Sequence, residues 1–129
     1  MEGQENLSIK SNTLFTNFII FSLTFSITHA TVDSVLAYSS AELGTNIGSS
    51  GGFVLYIFYT VSALLVAKPF LSYFHPKNSV MIGLICMLAY VSSFFLAVLI
   101  PSIATFIFLL GASFGGVGAG ILWTAQGSF

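Results

Sequence analysis

Few side chains in this sequence can do chemistry. His29 and Asp33 are four residues apart and continue the line of Ser22 and Ser26, so on a helix the four form one polar stripe. An imidazole beside a carboxylate can relay a proton or hold a cation, and ionisable groups at membrane depth face a bundle interior or a watery cavity. The competing reading leaves Asp33 in the headgroup zone, with His29 snorkelling or making a buried hydrogen bond. Gly111-Ala112-Ser113-Phe114-Gly115 has the form G-x-S-x-G. A nucleophile elbow must follow a strand and be followed by an acid and a histidine, and neither residue type occurs after Ser113. The glycines from Gly115 to Gly120 do not fit G-x-G-x-x-G. Cys86, the sole cysteine, cannot form an internal disulfide and has no metal-ligand spacing around it. The residue types therefore predict no enzyme, no metal and no cofactor.

The elements that carry these residues are apolar. Of 129 residues, 56% are hydrophobic and 5% charged, against about 25% charged in a soluble domain, too few to clothe a water-facing surface. Roughly 20 apolar residues cross the hydrocarbon core as a helix, and four stretches reach that length: about 13–32, 53–74, 79–100 and 103–124. The expected class is an all-α membrane protein with four transmembrane helices. A polar tail, 1–11, precedes the membrane domain, 12–129. A polar link, 33–52, follows the first span, and Lys68-Pro69 kinks or ends the second near the surface. His75-Pro76-Lys77-Asn78 and Pro101-Ser102 form the remaining turns. The first apolar run is too long for a signal peptide and lacks its cleavage site. The net charge of −1 and the absence of arginine argue against nucleic acid. The partner that composition does imply is the lipid bilayer.

Lys10 precedes the first span, and Lys68 and Lys77 flank the turn after the second. With four spans these fall on one side, and positive residues prefer the cytoplasm, so both termini are expected there. That keeps the sequon Asn6-Leu7-Ser8 from glycosylation. The compartment, plasma membrane or endomembrane, is not specified. In the second span Tyr56, Tyr59, Ala63 and Ala67 share a face suited to packing. In the fourth, Gly111, Gly115 and Gly118 stack on one face beside a greasy stripe of Leu110, Phe114, Val117 and Ile121. Small residues let membrane helices approach closely. Gly116 and Gly120 extend the small surface to another side, which predicts a helix with two neighbours.

The residues from Leu43 onward resemble the Unc-ninety-three-like family, a divergent branch of the major facilitator superfamily. The likeness rests on Leu43-Gly44, Leu55-Tyr56, Tyr59, Ser62, Ala67, Pro69, Pro76-Lys77 and Gly83. Above all it rests on the stretch from Gly116 to Phe129, which includes Trp123, Thr124, Gln126 and Gly127. The turn at Ser72–Lys77 lacks the acid and arginines of ordinary facilitators, which agrees with the divergent branch. The resemblance implies twelve spans in two halves built from inverted three-helix repeats. Four spans would then be a fragment of a major facilitator-type bundle whose C-terminal spans are missing. It further implies a regulatory or trafficking role: modulating potassium channels, or escorting Toll-like receptors. A secondary active transporter using His29 and Asp33 for coupling is the alternative. A small dimeric four-span exporter is a weaker one, because it carries its acid within the first helix.

Overall fold

The computed structural model describes residues 2–127, with side chains from residue 10 onward. The side chains of the Asn6 sequon and the motif's last two residues, Ser128 and Phe129, lie outside the described residues. The regular structure is helical: α1 (Glu2–Glu42), α2 (Thr45–Val61), a π-helical turn (Ser62–Val66), α3 (Ala67–Leu99), a 3-10 turn (Pro101–Ile103) and α4 (Ala104–Gln126). Two compact units result, Met1–Ala30 and Thr31–Phe129. The first is helix alone. Its threonine hydroxyls donate back to their own helix, Thr16 to Asn12 O, Thr24 to Ile20 O and Thr28 to Thr24 O, each at 2.9 Å. That internal satisfaction is what an apolar solvent demands of a polar side chain.

The second unit begins with the end of α1, which buries Val32, Val35 and Ser39. Helix continues to Glu42 and resumes at Thr45, so the polar link expected over 33–52 shrinks to two residues. Residues 2–11 of the expected tail are helical as well. Gly44 makes the turn at φ 90°, a backbone conformation open to glycine and strained for residues with a Cβ.

Among the described residues three segments, not the expected four, are long and apolar enough to span a membrane: Lys10–Glu42, Thr45–Leu99 and Pro101–Gln126. The middle one is 55 residues long because no loop separates the expected second and third spans. One residue, His75, leaves helical geometry (φ 61°, ψ 149°). The residue before a proline is pushed out of the α region, and Pro76 then suits the first turn of the next arm. The Ser79 hydroxyl donates to His75 O at 2.9 Å. The chain reverses there. Gly83, Gly118 and Leu122 meet, as do Tyr90 and Gly115, so the arm 76–99 runs antiparallel to α4. Gly51 meets Phe108, Gly116 meets Leu55 and Gly120 meets Ser62, so α2 runs parallel to it.

The interruption expected at Pro69 falls one turn earlier, as the π turn. Proline has no N–H and its ring crowds the carbonyl four residues back, here Leu65. In the π turn the Ala67 N–H bonds Ser62 O, five residues back. The wider turn brings both Ser62 (1% exposed) and Ala67 (0%) onto the buried face. That face reads Gly48, Gly51, Leu55, Ser62, Ala67. Tyr56, expected on the packed face, is instead 57% exposed, while Tyr59 and Ala63 are half-buried.

Candidate functional site

Helix α4 is the centre of the second unit, and glycine lets it have neighbours on two sides. Gly111, Gly115 and Gly118 are buried against the arm 76–99. A Cβ on Gly115 would lie 2.9 Å from Tyr90 Cβ, and one on Gly118 would lie 2.9 Å from Gly83 O. The reverse holds too, with a Cβ on Gly83 3.1 Å from Gly118 O. The two backbones therefore cross glycine on glycine, a separation that no larger residue permits. On the other side Gly116 abuts Phe58 and the Tyr59 amide, and Gly120 abuts Ser62 and the Ala63 amide. Ser62 Oγ donates to Val117 O at 3.1 Å across this second seam. Of the greasy stripe, Leu110 and Phe114 are about half exposed, but Ile121 is 2% exposed and belongs to the core.

Where the seams meet, an aromatic cluster fills the space. Tyr90 and Phe108 are both fully buried, with ring centroids 5.9 Å apart, and Phe94 packs edge-on to Phe108 at 6.2 Å. The Tyr90 hydroxyl has no hydrogen-bond partner among the described residues, and neither has Gln126 Oε1 at the far end of α4. Ser93 satisfies its own hydroxyl on Tyr90 O at 2.7 Å. Beside the cluster an open apolar groove of 330 Å³ runs between α3 and α4, bordered by Ser93, Leu96, Ile107, Gly111 and Phe114. It offers contact surface and no titratable group.

His29 and Asp33 fall in different units. His29 lies one residue before the end of the first, exposed, with its ring parallel to Phe25 (centroids 6.2 Å, 7° between planes). Asp33 belongs to the second and is exposed beside buried Val32. It lies nine residues before the end of α1, about 13 Å of helical rise. No group of three or more His, Cys, Asp or Glu is placed to hold a metal among the described residues. The motif residues close α4. Trp123 is 43% exposed, Thr124 Oγ1 donates to Gly120 O at 2.8 Å, and the Gly127 N–H bonds Trp123 O. Sequence reading passed over Tyr90 and Phe108, and met Ser62 only within the family likeness. A signal existed for the α3 side, since Ser79, Gly83, Met87, Tyr90, Ser93 and Ala97 follow at helical spacing, yet they form no named motif.

The arrangement is an interlocked helical scaffold for a bilayer. No curated protein and no solved structure matches the chain. The family model for "Ion channel regulatory protein UNC-93" matches residues 39–129, which begin at buried Ser39 and include both glycine seams, the His75 reversal and the Trp123–Gly127 motif. The chain is an integral membrane protein and belongs to the UNC-93 family of ion channel regulatory proteins.

Proposed function

We propose that this protein regulates another membrane protein, an ion channel or a receptor, by lateral contact within the bilayer. We further infer that it does so as part of a major facilitator-type bundle with a cytoplasmic N-terminus. The observation that carries the regulatory reading is the family match over residues 39–129, whose description is of a channel regulator. The structure supports it in one respect. The seams around α4 are filled by glycine, serine and aromatic side chains, and the polar groups there serve packing. Exposed apolar side chains such as Phe53, Ile57, Leu88 and Phe95 remain available to lipid or to another helix. The family description does not favour the solute-carrier alternative.

Co-expression with a panel of potassium channels and receptors tests the reading. The expected outcome is a change in the current or surface level of at least one partner, lost when Gly118→Leu opens the seam. Unchanged currents and surface levels throughout, with the chain present in the membrane, would overturn it. Proton-driven flux into liposomes that Asp33→Asn abolishes would favour the carrier.

A further inference from the structure

We propose that the end of the second unit that carries the His75 reversal is a binding surface for the phosphate headgroups of anionic phospholipids, held by Lys68 and Lys77. Charge in this unit is sorted along the chain. Its acids are Asp33 and Glu42, both on α1, and residues 43–129 contain no acid at all. Its lysines are Lys68 and Lys77, one on each side of His75. Both are exposed, and neither has an ion-pair partner among the described residues.

An ammonium group at the membrane surface without a protein carboxylate finds its counter-charge in lipid. Lys68 lies seven residues before His75, so its ammonium starts about 10 Å deeper than the turn and reaches outward along its own stem. Lys77 starts at the turn. The neighbouring aromatic groups mark this end as interfacial. Tyr73 is 80% exposed and Phe74 38% exposed, and Phe74 packs tilted against Phe70 at 4.6 Å and edge-on to Tyr73 at 5.0 Å. Because α2 runs parallel to α4, Trp123 comes to the same end, 43% exposed. Amphipathic rings settle at headgroup level, and each lysine there gains from anionic lipid.

Trp123 is the only tryptophan and so reports on this end alone. The whole chain is reconstituted with bromine-labelled phosphatidylglycerol or phosphatidylcholine, and quenching of Trp123 gives their relative affinity. Phosphatidylglycerol is expected to win by up to about fivefold per lysine. The preference should survive Lys68→Arg with Lys77→Arg and vanish in Lys68→Gln with Lys77→Gln. If that double variant loses its helical circular dichroism, each single glutamine variant should lose part of the preference. Equal quenching in the native chain, or a preference that outlives the glutamine variants, overturns the proposal. So does abolition of the preference by an equal concentration of inorganic phosphate, which would identify a site for free anions.

Discussion

Tyr90 places a phenol at the centre of the second unit, where it has no hydrogen-bond partner among the described residues. Leaving a buried hydroxyl unsatisfied costs about 1–3 kcal/mol, while the ring itself contributes packing against Phe108 and Gly115. Tyr90→Phe keeps the ring and removes the cost. It is expected to raise the thermal unfolding midpoint in detergent, by an amount equivalent to about 1 kcal/mol or more. A lowered midpoint would mean that a buried water holds the hydroxyl. Ser62 is the contrasting case, since its hydroxyl reaches Val117 O on another helix and is satisfied.

At the scale of elements, the α3–α4 crossing depends on glycine meeting glycine. Leucine at Gly118 would collide with Cys86 Cβ and Gly83 O, and both lie on well-packed helix, so the backbones must separate. Overpacking of this kind costs about 1–3 kcal/mol, occasionally more. Gly118→Leu should lower the unfolding midpoint and speed proteolysis in detergent, whereas Phe114→Leu, half exposed on the same helix, should change either little. Equal effects would show that the exposed and packed faces are wrongly assigned. The π turn belongs to this scale as well. Composition signals Pro69, but the residue that gives way depends on how α2 must present Ser62 and Ala67 to α4.

For the molecule as a whole, the testable matter is which way the second unit faces. Thr45 begins α2 and Asn78 follows the reversal, so the two lie at opposite ends of the unit and both are exposed. With Cys86 replaced by serine, Thr45→Cys should react with a membrane-impermeant maleimide on intact cells, or on vesicles with the lumenal face outward. Asn78→Cys should react only after permeabilisation. The reverse pattern would invert the orientation inferred from Lys10, Lys68 and Lys77.

Composition and periodicity were enough to make the chain helical and membrane-embedded, because hydrocarbon length and hydropathy are properties of consecutive residues. The motif from Gly116 onward was likewise legible, being contiguous. The connection between the second and third expected spans was not, since they meet at one residue, His75, which reverses the chain without a loop. Nor was the burial of Ile121 or the exposure of Tyr56. Those follow from which face meets which neighbour, and a π turn shifts that register in a way that helical spacing in one segment does not report. Spacing names the residues that share a face. Tertiary packing decides which face is inside, because that depends on where another helix can approach most closely.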